Sequence, residues 1–267
     1  MKTKFTNSIK MTLYSLSILL FFPSYMFAQR KHENPSVIKI LDNKYHRIND
    51  TLYACEIEVT NIDYKNFLIY YLSGDYEKCK IDSSLWQSKF EKSYNYPMVK
   101  YYHTHAAFNY YPVVNISYYG AVQCCEWLTN RYNRLHLKSR AKFKLPTAQE
   151  WTLLSNTNPE TGLPFNLLSG KNQVGKYLEN IKAYRGDSVN LGEDGGFYTV
   201  RTDAYAANLF GLYNVIGNAA EMTDIKDVQK GGSWLDDLKD CTTDKVQTYV
   251  TPDPRVGFRV VMIINTR

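Results

Sequence analysis

Two turn-prone segments hold the oxygen donors this chain could turn to chemistry: Asp194-Gly-Gly196 with the residues leading to it, and Asn214 to Asn218 with Glu221 just beyond. Calcium takes about six to eight oxygens from carboxylates, amides and main-chain carbonyls, often gathered by a tight turn. The EF-hand order is absent, because Asp187 is followed by Val189 and Leu191 where that loop needs oxygen donors. On spacing alone, a glycine turn and a solvated loop account for the same residues. His103 and His105 put two imidazoles on one face of an extended segment, but no third ligand stands nearby, and a packed or solvated pair is the simpler reading. The five cysteines, Cys55, Cys79, Cys124, Cys125 and Cys241, are an odd number, so at least one is free or pairs outside the chain. A bridge between the adjacent Cys124 and Cys125 is strained, which makes at least one of them a buried apolar thiol. Arg185-Gly-Asp187 resembles an adhesion tripeptide by chance, and Asn49-Asp-Thr51 and Asn115-Ile-Ser117 fit the glycosylation sequon. No Ser-His-Asp order, phosphate loop or paired-carboxylate signature is present.

The elements that must position these residues are few. Tyr53 to Val59 alternates as a strand, and Thr60 caps a helix carrying Tyr64, Phe67, Leu68 and Tyr71 on one face. Residues 73–111 are rich in aromatics without a period, and irregular backbone pinned by rings is expected there. Pro112 to Ile116 reads as a short strand. Ser117 caps a helix to about Tyr132, Thr147 caps another through Trp151 and Leu154, and Gly257 to Ile264 is the last strand. Between about 156 and 256 there is little periodicity, so something besides regular ladders must hold the chain, and a bound metal ion is one candidate.

The amino terminus reads as a signal peptide over residues 1–28: Lys2, Lys4 and Lys10 precede an apolar run from Met11 to Phe22, and Ala28 suits the last residue before a cut. Ser15, Ser17 and Pro23 interrupt that run, which disfavours an uncleaved anchor. The expected organisation is a lead-in at 29–50 and one domain at 51–267, exported and periplasmic or associated with the cell envelope. Cleavage would remove three lysines and no acids, leaving 29 basic and 26 acidic side chains. A near-neutral surface without Lys/Arg stripes argues against nucleic acid as a partner, and no transmembrane span is expected after cleavage.

Several ordered signatures then converge. These are Glu58-Val-Thr-Asn61 with Tyr64 and Phe67, Tyr111-Pro-Val-Val-Asn-Ile-Ser117 with Trp127, Leu145-Pro-Thr147 with Glu150-Trp151, Phe210-Gly-Leu-Tyr-Asn-Val-Ile-Gly-Asn218 with Glu221, Gly231-Gly-Ser-Trp234, and Gly257-Phe-Arg259. Together they resemble the formylglycine-generating enzyme, or sulfatase-modifying factor, family. The stretch from Trp86 to Ala106, with His103-Thr-His105, is similar to members associated with gliding motility and type IX secretion. The resemblance implies a single irregular α+β domain related to C-type lectins, low in regular secondary structure and holding calcium. It implies two calcium sites, one from Asn180, Ile181, Asp194 and Gly196, the other from Asn214, Gly217, Ala219 and Glu221.

Active members of the family oxidise a client cysteine to formylglycine with copper held by two cysteines, three and eight residues after the serine of Gly-Gly-Ser. Here those positions, counted from Ser233, are Asp236 and Cys241. Copper(I) selects soft thiolates, and a carboxylate is hard, so copper is not expected. The tryptophan and arginine of that pocket are also replaced, by Ala220 and Thr242. Ser233, Asp236 and Cys241 therefore read as a remnant. The expected function is a non-catalytic, calcium-stabilised module that binds a protein partner in the envelope. The alternative is a diverged oxidase acting on a cysteine of a client such as a sulfatase, and sugar binding is a third reading that rests on fold likeness alone.

Overall fold

The computed structural model describes residues 44–71, 75–90, 95–136, 140–156, 171–172, 174–250 and 252–264. The expected signal peptide and residues 29–43 of the lead-in lie outside the described residues. Tyr45–Arg47 (β1) and Leu52–Cys55 (β2) form a hairpin whose turn is closed by Asn49, which accepts the N–H groups of Thr51 and Leu52 at 3.0 and 2.9 Å. Residue 45 thus already belongs to the sheet. With Ala141–Lys144 (β3) and Val261–Ile264 (β10) they make an antiparallel sheet of order β1-β2-β10-β3. Period-two alternation divides its side chains between two cores. Leu52, Ala54, Val261 and Ile263 pack with Trp151 and Leu154, whereas Tyr53, Phe143, Met262 and Ile264 pack with Tyr64, Phe67 and Leu128.

Three helices begin where their caps predict. Asn61–Tyr70 (α1) opens on a capping box in which Thr60 Oγ1 accepts the Asp63 N–H at 3.2 Å and Asp63 accepts the Thr60 N–H at 3.3 Å. Ser117 accepts the Gly120 N–H at 3.0 Å and starts Tyr118–Leu135 (α5), which covers the sheet. A Cβ at Gly120 would lie 2.2 Å from Tyr64 Oη, so glycine is what lets α5 close onto α1. Thr147 and Glu150 form a second capping box at the start of Ala148–Ser155 (α6).

Residues 75–111 hold short helices, Tyr76–Cys79 (α2), Leu85–Ser88 (α3) and Tyr96–Tyr101 (α4), and a 3₁₀ turn at Ala106–Phe108. Rings hold them: Trp86, fully buried, lies 4.9 Å from the Tyr102 ring and 5.4 Å from that of Tyr198. Two strand expectations are corrected. Pro112 to Ile116 is no strand: it makes a single bridge, Thr60 to Pro112, and the left-handed backbone of Asn115 (φ 61°) ends any ladder. Residues 257–264 are not one strand either. Val256–Gly257 (β9) pairs in a second sheet and β10 in the first, so this segment ties the two sheets together.

That second sheet has order β8-β7-β6-β9, from Ala220–Met222 (β6), Val228–Lys230 (β7) and Gln247–Thr248 (β8), with β6 and β9 parallel. A two-residue hairpin, Tyr184–Arg185 (β4) with Ser188–Val189 (β5), completes the strands. The result is a mixed α+β fold of short elements, as expected, and no helix among the described residues is long and apolar enough to cross a membrane.

Candidate metal centre

The first oxygen set is assembled by a clip. Asp194 accepts the Ile181 N–H through Oδ2 and the Gly196 N–H through Oδ1, both at 3.0 Å, which draws the two loop segments together around one carboxylate. Asn180 spends both hydrogens of its side-chain amide, on Tyr198 O at 2.8 Å and on Asn218 Oδ1 at 3.1 Å. Its Oδ1 is left buried with no partner among the described residues. That oxygen is 3.4 Å from where a Cβ at Gly196 would sit, so Asn180, Ile181, Asp194 and Gly196 do meet.

The second set is a left-handed turn. Asn214 (φ 48°), Gly217 (φ 76°) and Asn218 (φ 57°) all take conformations that L side chains seldom adopt. Asn214 donates to Glu58 Oε2 at 3.4 Å and to Arg201 O at 3.2 Å, and again its Oδ1 is buried with no partner among the described residues. Glu221 is more committed than its spacing suggests. Its Oε1 accepts the Arg259 Nε–H at 2.8 Å, with Nη2 2.7 Å away as an ion-pair contact, and its Oε2 accepts the Trp151 indole N–H at 2.8 Å, with both ion-pair partners fully buried. Of roughly four lone-pair sites on a carboxylate, these hydrogen bonds take two, and the rest are open to a cation.

Burial bears on every acid here. It raises the Glu58 carboxyl to about 8 against the pull of Arg259, and the Asp194 carboxyl to about 6 against the N–H groups of Gly196 and Ile181. Glu179, beside Asn180, has its carboxyl held well above the usual range by burial and then by Glu58, and its Oε2 has no partner among the described residues. A divalent cation among these oxygens would favour the charged forms and satisfy the orphaned carboxamides. The donor set is amide, carbonyl and carboxylate oxygen, and this suits calcium rather than zinc. The residues present fit the ion. Asn180, Asp194, Asn214 and Glu221 would supply side-chain oxygens, and Ile181, Gly196, Gly217 and Ala219 carbonyls.

Glu58 and Asn218 were legible as parts of signatures but not as members of this centre. Glu58 accepts the Ala219 N–H at 3.2 Å and, through both carboxylate oxygens, Asn218 Nδ2, which also donates to Val200 O at 3.4 Å. Glu179 carries no sequence signal beyond its adjacency to Asn180.

The remnant pocket is closed. Asp236 Oδ2 accepts from Ser233 through the backbone N–H at 2.9 Å and the hydroxyl at 2.5 Å, so its carboxylate caps its own turn. Cys241 is wholly buried under Gly232, where a Cβ would come within 2.2 Å of Sγ, and its thiol points at Asp237 O, 3.4 Å away. Burial pushes that thiol well up, and Asp236, Asp240 and Asp237 push it further. Cys79, Cys124 and Cys125 belong to the other core, and all five cysteines are free and buried. The two histidines do separate work. His103 Nδ1 contacts Asn61 Oδ1 at 2.9 Å in the interior, while His105 Nδ1 accepts the Ala107 N–H at 3.2 Å as a cap.

Residues 42–264 match the sulfatase-modifying factor enzyme 1-like domain. The formylglycine-generating enzyme of Bos taurus is 33% identical over 116 residues, which is 42% of this chain and 26% of the relative, and that of Mus musculus is 32% identical over 42% and 27%. The match thus spans about a quarter of the length of these curated relatives. Among solved structures, Treponema denticola variable protein 1 superposes with a TM-score of 0.52 at 14% identity, covering 82% of this chain and 91% of that one, a likeness of fold alone. With its signatures brought together around Glu58, Asn218 and Arg259, and its sequence matching from residue 42 to 264, the chain belongs to the sulfatase-modifying factor enzyme 1-like family.

Proposed function

We propose that this domain is a non-catalytic, calcium-stabilised binding module of the cell envelope whose partner is a protein. The observation that carries the reading is the condition of Cys241. A copper(I) site of the family's kind needs two thiolates in an open groove. Here one sulfur is sealed beneath Gly232, is held in its thiol form by burial and by surrounding acids, and has a carboxylate tied to Ser233 where the second sulfur would stand. The protein-binding part of the reading is supported by exposed aromatics in one segment: Tyr96, Tyr101 and Tyr110 are 55, 41 and 43% exposed. Tyrosine brings large contact area at low entropic cost.

Anaerobic titration with copper(I) against a chelating competitor tests the first part. No binding above the competitor is expected. Stoichiometric binding lost in Cys241→Ser would restore the oxidase. Crosslinking in envelope fractions tests the second. A discrete adduct should form with wild type and weaken in the Tyr96→Ala/Tyr101→Ala variant, whereas an unchanged pattern would move the partner surface elsewhere.

A further inference from the structure

The two oxygen sets are built on one frame. Asn180, the side-chain donor of the first, gives its main-chain oxygen to the Asn218 N–H at 2.7 Å and its amide to Asn218 Oδ1 at 3.1 Å. Asn218 lies inside the turn that forms the second set. Gly217 presses on the same place, since a Cβ there would lie 2.3 Å from Asn180 O. Asn218 Oδ1 also accepts the Val200 N–H at 2.8 Å, while its Nδ2 is held by Glu58, which takes the Ala219 N–H and the Asn214 side chain as well. One carboxamide therefore aims the Asn180 oxygen at the first set and is itself fixed by the residues of the second.

We infer that the two calcium sites fill cooperatively, with Asn218 as the positioning residue that couples them. This rests on the calcium reading above. The left-handed backbone at Asn214 and Asn218 is a conformation the chain adopts at a cost, and ordering it is a condition for both sets. The first ion to bind meets that cost, and the second binds a frame already ordered. Repulsion between two divalent ions opposes this. Glu58, bonded to both Asn218 and Ala219, places carboxyl oxygens at the bridge that offset it.

The test is a calorimetric titration of the full chain with calcium after chelator treatment, read as ion number, affinity and Hill coefficient. Two ions with a coefficient above one are expected for wild type. Asn218→Gly, which keeps the left-handed backbone and removes the carboxamide, should bind two ions with a coefficient near one. Asp194→Asn removes the first site without touching the turn, and calcium affinity at the remaining site should fall by about 5- to 150-fold. An unchanged affinity in Asp194→Asn, or undiminished cooperativity in Asn218→Gly, overturns the coupling, as does a wild type that binds two ions independently or one ion only. A wild type that binds no calcium at all overturns the calcium reading itself.

Discussion

Asn218 Nδ2 reaches both carboxylate oxygens of Glu58, at 3.1 and 3.0 Å, across 160 residues of chain. Neither side chain is exposed. The contact fastens the loop entering α1 to the turn entering β6, and Val59, next to Glu58, donates its N–H to Phe258 O at 3.0 Å, in the segment that joins the two sheets. A neutral amide opposite a carboxylate in a dry interior holds geometry without neutralising charge. Burial raises the Glu58 carboxyl to about 8, and a cation among these oxygens would favour its charged form.

Calcium removal should therefore lower stability. A site filled at 100 times its Kd contributes about 2.7 kcal/mol, and two sites more. Thermal denaturation with calcium and with a chelator reads the difference. Asp194→Asn should lose much of the calcium-dependent increment and also some stability in chelator, because a carboxamide can accept only one of the Ile181 and Gly196 N–H groups that Asp194 holds. A wild type whose melting is indifferent to the chelator would leave the orphaned Asn180 and Asn214 oxygens without an explanation.

The sequence made the caps and the family legible because each depends on local pattern: Thr60, Ser117 and Thr147 stand three residues before the N–H groups they accept. Arg259 was visible only as the end of Gly257-Phe-Arg259. Its partners, Glu221, Cys55 O, Glu56 O and Tyr213 O, come from three distant segments, which no local period can encode. Residues 112–116 failed as a strand for a similar reason. The apolar run is real, but Asn115 turns left-handed where Asp253 O takes its N–H, and tertiary contact overrides strand propensity.

Gly232→Ala should destabilise the domain by more than about 2 kcal/mol, combining a left-handed backbone (φ 69°) with overlap against Cys241 Sγ. Adding Cys241→Ala should recover about 1 kcal/mol of that loss, since the two sites touch and their effects cannot add. Denaturant midpoints for the four proteins of this cycle give the coupling directly. Strict additivity would mean that the sulfur does not pack against residue 232.

Breaking the Arg259–Glu221 pair should be among the most damaging single changes. Arg259→Met strands a fully buried carboxylate and three backbone carbonyls, at a cost of about 3–5 kcal/mol. Arg259→Lys should fare little better, because one ammonium cannot reproduce a planar fork that serves four acceptors. Equilibrium unfolding in urea measures both, and a Lys variant as stable as wild type would show that charge alone holds this junction.

His103 gives the domain an acid-sensitive side. Burial, and then the charge of Lys65, lower its imidazole to about 3, while Asn61 and Asn115 offer it neutral contacts and no carboxylate. The unfolded chain takes up this proton below about pH 6.5 and the folded one refuses it until about 3. The folded state thus binds fewer protons across that window, so stability falls as pH falls, by up to about 1.4 kcal/mol per unit for one site. Denaturation between pH 4.5 and 7 should show a slope that is smaller by about one proton in His103→Gln than in wild type. The difference between the two slopes isolates this residue from the buried carboxyls, whose raised values act in the opposite direction, and equal slopes would mean that the interior accepts the imidazolium.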